Sequence, residues 1–161
     1  MPRSLLRDGL IVADDWQYGD CEPQGPHGLI LPFDRWLGER DAWLAGGARL
    51  GVVLSPAHKV EQLAPDLDRL ALVAVEFPGP SEGRGYSQAR LLRERWRFRG
   101  ELRAVGPVRQ DQVFFLARCG FNAFELPEGE LDAALAAFAT FSAAYQVSND
   151  TGLPFKLRHR V

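Results

Sequence analysis

The stretch VEFPGPSEGRGYSQARLLRERWRFRGELRAVGPVRQDQVFFLARCGFNAFEL, residues 75–126, decides the fold. It reads as strand, glycine-rich turn, helix, strand, helix, strand. The first strand lies in residues 70–77 (LALVAVEF), a nearly continuous apolar run of the kind buried on both faces of a sheet. Pro78 and Pro80 stop it, because proline donates no ladder hydrogen bond. Gly83-Arg84-Gly85 supplies turn freedom, and Ser87 offers an N-cap hydroxyl. Ala89, Leu91, Leu92 and Trp96 then form a helical apolar stripe, leaving Arg90, Arg93, Glu94 and Arg97 to water. Residues 101–105 form a second strand, ended by Gly106-Pro107. A second helix over 110–119 finishes at Gly120, a residue suited to the left-handed C′ position. Residues 121–126 (FNAFEL) make a third strand. Strands that alternate with short helices imply parallel pairing through right-handed crossovers.

Three charges interrupt these strands: Glu76, Arg103 and Glu125. A buried unpaired charge is costly, so such residues either pair with one another or reach an open end of the sheet. A Glu76–Arg103–Glu125 cluster near the carboxyl ends of the strands is one reading, at the edge where open parallel sheets bind ligands. Solvent exposure at strand ends is the other.

Outside this stretch, residues 29–32 (LILP) and 50–54 (LGVVL) read as two more strands, with a helix over 35–45 capped by Asp34 between them. After the second of these, Ser55 followed by Pro56 suggests a helix start. It would place His58 and Lys59 at the mouth of the sheet. Residues 128–146 form a strong helix, with Leu131, Ala134, Leu135, Phe138, Phe141 and Tyr145 on one face. Residues 1–28 read as a loop-rich N-terminal segment in which only 9–13 suggests a short strand. The expected organisation is a single α/β domain over 1–148 and a basic C-terminal tail over 149–161. Its sheet has about five mainly parallel strands alternating with helices, as an open sheet or a partial TIM-like barrel.

Composition narrows the function classes. A chain of 161 residues with 46% hydrophobic and 25% charged residues is that of an ordinary globular domain. A net charge of −2 argues against general binding to nucleic acid, which relies on a positive surface. No apolar run approaches a bilayer span, and the N-terminus lacks the pattern of a signal peptide, so no membrane partner and a cytoplasmic location are expected. Cys21 and Cys119 form no CxxC pair. Cys21 and His27 share a loop without the further ligands a metal needs. Cys119 reads as a small buried hydrophobe. No metal and no cofactor are expected.

The best candidate for chemistry is the turn at residues 81–87. Strand-end amides, Arg84, Tyr86 and Ser87 could there meet a phosphate, sulfate, sulfite or carboxylate, with Arg103 and Arg109 approaching and Glu76 and Glu125 beside them. The alternative is a tight turn whose Tyr and Arg fasten the sheet to its helices. The turn lacks the Lys-Ser/Thr ending of a phosphate loop, and no catalytic residue is identified.

Residues 83–94 (GRGYSQARLLRE), 100–106 (GELRAVG) and 111–126 (DQVFFLARCGFNAFEL) resemble a bacterial family known as domain of unknown function 934 (DUF934). The resemblance covers nearly the whole chain. Members tend to be encoded beside the haem subunit of sulfite or nitrite reductase. It therefore implies an accessory role in assimilatory sulfite reduction, with that subunit as partner. An enzyme acting on a small anionic substrate and a docking module for the reductase are the alternatives. The family pattern usually has Asp before Gly-Arg-Gly-Tyr, where this chain has Glu82, and Asp where it has Asn122.

Overall fold

The computed structural model describes residues 3–19, 25–79 and 81–148, with the backbone alone for 140–148. The protein is mixed α/β, built on an eight-stranded sheet in the order β2-β1-β8-β7-β6-β5-β4-β3. In chain order the strands are β1 (Ser4–Arg7), β2 (Leu10–Ala13), β3 (Trp16–Tyr18), β4 (Gly28–Pro32), β5 (Leu50–Leu54), β6 (Leu72–Glu76), β7 (Glu101–Val105) and β8 (Ala123–Phe124). β3 to β8 are mutually parallel, whereas β1 runs antiparallel to both β2 and β8. The helices are α1 (Phe33–Ala45), α2 (Arg84–Arg90), α3 (Val113–Cys119) and α4 (Leu131–Ser148), and α2 continues as a π-helical turn, Leu91–Arg95.

The count of about five strands is therefore corrected to eight. The extra strands come from residues 4–18, read from the sequence as a loop-rich segment with one short strand suggested at 9–13, where β2 lies. They escape a periodicity reading because they have only three or four residues each, too few to display an alternation. Their burial is nonetheless real: Leu5 and Leu6 are fully buried, and Trp16 nearly so. The expected tail at 149–161 lies outside the described residues.

The chain connectivity forces the sheet to curl. β2 and β3 sit at opposite edges, yet only Asp14 and Asp15 separate them in sequence. Three peptide units reach at most about 11 Å. Eight flat strands would hold those edges roughly 34 Å apart. One extended run, bent at Asp14-Asp15, thus serves both edges, and the sheet becomes a half-barrel.

The two faces of the half-barrel differ. The outer face carries the main core, in which Leu29, Leu31, Val52, Leu54, Val73, Val75, Leu102 and Phe124 meet Trp36, Leu92, Leu116, Leu131 and Phe138 of the surrounding helices. The inner face holds a small apolar cluster of Trp16, Ile30, Leu72, Ala74 and Val105 beside buried charge. Trp16 lies directly over Gly28, where an added Cβ would stand 2.4 Å from the indole. Arg49 covers the Trp16 ring at 4.4 Å.

At the amino ends of β7 and β8, Arg93 acts as a clamp and is not solvated as its helical position suggested. It donates to the carbonyls of Gly120 (2.9 Å), Phe98 (2.7 Å) and Gly100 (2.9 Å), and to Asn122 Oδ1 (3.0 Å). Asn122 Oδ1 also accepts from the Leu102 amide, while its Nδ2 donates to Asp8. The amide thus matters here: an aspartate would face Asp8 with no hydrogen to give.

Gly28→Ala must displace Trp16 from the inner face. We expect a loss of about 1–3 kcal/mol, measured as a lowered urea midpoint. An unchanged midpoint would mean that Trp16 is not seated there.

Candidate functional site

β7 is buried along its whole length, and its alternation sends Glu101, Arg103 and Val105 to the inner face. Arg103 is 0% exposed. Its Nε donates to Glu101 Oε1 at 2.9 Å, and its Nη2 lies 2.8 Å from the same oxygen. Nη1 reaches Asp14 Oδ2 at 3.0 Å and Glu125 Oε1 at 2.9 Å, and Nη2 reaches Asp14 Oδ1 at 3.1 Å. All five guanidinium N–H groups have carboxylate acceptors. Burial by itself would depress the Arg103 pKa, but Glu101, Asp14 and Glu125 hold it above the ordinary arginine value.

A second ring of groups completes the network. Arg3 spans Asp14 and Glu125, each at 3.0 Å, and Tyr18 donates its hydroxyl to Glu125 at 2.7 Å. Arg7 joins Asp15 (3.0 Å) to Glu101 (3.3 Å), and Arg49 holds Asp15 at 2.8 Å. Four arginines, Arg3, Arg7, Arg49 and Arg103, thus face four carboxylates, Asp14, Asp15, Glu101 and Glu125. The cluster is electrically balanced. Burial alone would raise the Asp15 carboxyl, but its bonds to Arg49 and Arg7 hold it at about 2. Burial, followed by the Glu125 charge and hydrogen bond, pushes the Tyr18 phenol well above its usual value. Both move away from neutrality, whereas acid–base catalysis calls for groups tuned toward it. The arrangement fastens strands together.

The structure brings together Arg103 and Glu125 from the expected cluster, but Glu76 makes no ion pair with a described residue. Glu76 ends β6 on the same face, partly exposed at the open mouth. The turn at 81–87 is organised differently from its sequence reading. The helix begins at Arg84, so Ser87 lies within α2 and caps nothing. Glu82 Oε1 accepts the Arg84 amide hydrogen at 3.0 Å. The Arg84 side chain is 72% exposed, with Nε 4.0 Å from Glu82. Tyr86 packs between Phe77 and Phe115, with ring centroids 5.1 and 5.0 Å away. Arg109 pairs with Glu130 at 2.6 Å. Among the described residues no hydrogen bond or ion pair links Arg84, Arg103 and Arg109.

The helix start expected at Ser55-Pro56 is a turn. His58 Nδ1 accepts the Ser55 amide hydrogen at 2.9 Å, and its ring stacks on Phe33 at 4.2 Å. α1 begins at Phe33, and Asp34 does not cap it. Cys119 is 3% exposed within the main core, and Cys21 lies outside the described residues. Among the described residues no three His, Cys, Asp or Glu side chains are grouped to hold a metal, and no helix is long and apolar enough to cross a membrane.

Sequence reasoning missed Arg3, Arg7, Asp14, Asp15, Tyr18, Arg49 and Glu101. One signal was available: Glu101 and Arg103 alternate onto one face of a strand. A family model described as a bacterial protein of unknown function, DUF934, matches residues 51–155. That span includes Arg84, Glu101, Arg103 and Glu125, whereas Arg3, Arg7, Asp14, Asp15 and Tyr18 precede it. No curated protein matches the chain.

Arg103→Met leaves Asp14, Glu101 and Glu125 on the inner face with only Arg3 and Arg7 to match them. We expect it to cost about 3–5 kcal/mol at pH 7. Carboxylates deprived of a buried cation take up protons more readily in the folded state, so the deficit shrinks as the pH falls from 7 toward 5. Urea unfolding at both pH values reads this, and a deficit that grows on acidification would contradict it. Asp15 behaves oppositely. Its contribution is complete above about pH 4 and disappears as the pH falls from there toward 2. Asp15→Asn should therefore flatten the stability profile in that window.

Proposed function

Because the chain belongs to the DUF934 family of bacterial proteins, we propose that it is a cytoplasmic accessory protein of assimilatory sulfite reduction. It acts by docking to the haem subunit of the reductase, and it binds a small oxyanion at its strand-end loops. The family resemblance supports the pathway. The observation that carries the docking mode is a contrast between interior and surface. The buried charges of the half-barrel neutralise one another, while α3 presents Phe114 and Phe115 at 42% and 51% exposure. Adjacent exposed aromatics are costly to leave in water and are the side chains that anchor protein interfaces. Arg118 is exposed on the same helix and supplies a polar rim. The oxyanion part is supported by Arg84, whose guanidinium is largely exposed and only distantly engaged by Glu82.

Titration calorimetry with the purified haem subunit tests the docking. Phe114→Ser with Phe115→Ser should weaken binding about tenfold or more while the fold survives. Absence of binding by the unaltered chain would remove this reading. For the oxyanion, sulfite, sulfate or phosphate should raise the thermal midpoint, and Arg84→Ala should abolish the rise.

A further inference from the structure

The ion-pair network leaves donors of Arg3 unspent. Glu125 Oε1 alone takes hydrogen bonds from Arg3, Tyr18 and Arg103. Asp14 spends both oxygens on Arg103, Arg3 and the Trp16 amide. Arg3 makes both carboxylate contacts through Nη2. Its Nε–H and both Nη1–H groups therefore have no partner among the described residues, and its side chain is 49% exposed. The His27 ring likewise has no described hydrogen-bond partner. Arg3 and His27 line one open cavity of about 660 Å³, together with Asp14, Trp16, Gln17 and Tyr18.

We infer that this cavity is a second small-anion site, with a sulfite-, sulfate- or phosphate-like oxyanion as its ligand. Arg3 supplies the charged contact through Nη1, whose two hydrogens reach oxygen without disturbing the Nη2 bonds to Asp14 and Glu125. His27, which lines the same cavity, adds a ring N–H. Asp14 offers no lone repulsive charge, because Arg103 already matches it with two hydrogen bonds. The Tyr18 ring, with the Arg3 guanidinium 5.8 Å from its centroid, fixes where that guanidinium lies. The site shares a ligand class with the Arg84 turn and shares no residue with it.

Backbone and side-chain amide resonances of the full chain, titrated with sulfate, sulfite and phosphate against a chloride control, test the assignment. Saturable shifts are expected at Gln17, Tyr18 and His27. His27→Ala removes a group with no described partner and should leave the fold intact while weakening the response. Arg3→Lys keeps a cation for Asp14 and Glu125 but removes the planar fork, and should weaken binding about tenfold. Shifts confined to residues 83–87 and abolished by Arg84→Ala would overturn this site while sparing the strand-end reading. Shifts indifferent to Arg3→Lys and His27→Ala, or no saturable shift at all, would overturn it too.

Discussion

The bond between Arg103 and Asp14 is the constraint on which the half-barrel depends. A guanidinium buried in the middle of a sheet is tolerable only if each of its donors finds an acceptor in a fixed place. Glu101 and Glu125 come from its own strand and from the neighbouring one. Asp14 comes from the bend between the two edge strands, 89 residues away. The charge at the centre of the sheet is thus satisfied only when the edges have been drawn around it. Such a pair contributes less to net stability than to geometry, because the cost of drying the ions offsets most of their attraction. Its effect is to make one closure of the sheet acceptable and others not.

The rest of the packing follows from that closure. With the inner face narrowed, Trp16 has room only over a residue lacking Cβ, which is why Gly28 opens β4. The outer face is free of this restriction and is filled in the usual way of parallel sheets, by aliphatic strands under helices. Arg93 works at the amino ends of β7 and β8 by a different route. It satisfies carbonyls and not carboxylates, so it fixes backbone where Arg103 fixes charge.

The parallel centre of the sheet was legible because β4 to β7 are apolar runs long enough to register against glycine and proline punctuation. The Arg103–Glu125 pair was legible for a related reason: a charge in a buried strand needs a partner, and consecutive parallel strands supply one. Glu76 followed the same logic and escaped it, because the last residue of a strand can reach water. Asp14 was illegible. Its aspartate pair reads locally as a turn, and only the tertiary closure reveals that a turn between strands is also the seam of the sheet. The caps expected at Ser87, Asp34 and Ser55 failed together. Glu82 takes the Arg84 amide and His58 the Ser55 amide, while α1 starts at Phe33, one residue before Asp34, with no side-chain cap.

The pairing of β1 with β8 also orders events in time. β1 is made well before β8, its partner about a hundred residues later in the chain. Until β8 is made, β1 can pair with β2 and β3 can join β4, but the other side of β1 has no strand to meet. Closure is therefore the final step of assembly, and the chain passes through a stage in which Arg103 and its carboxylates are still hydrated.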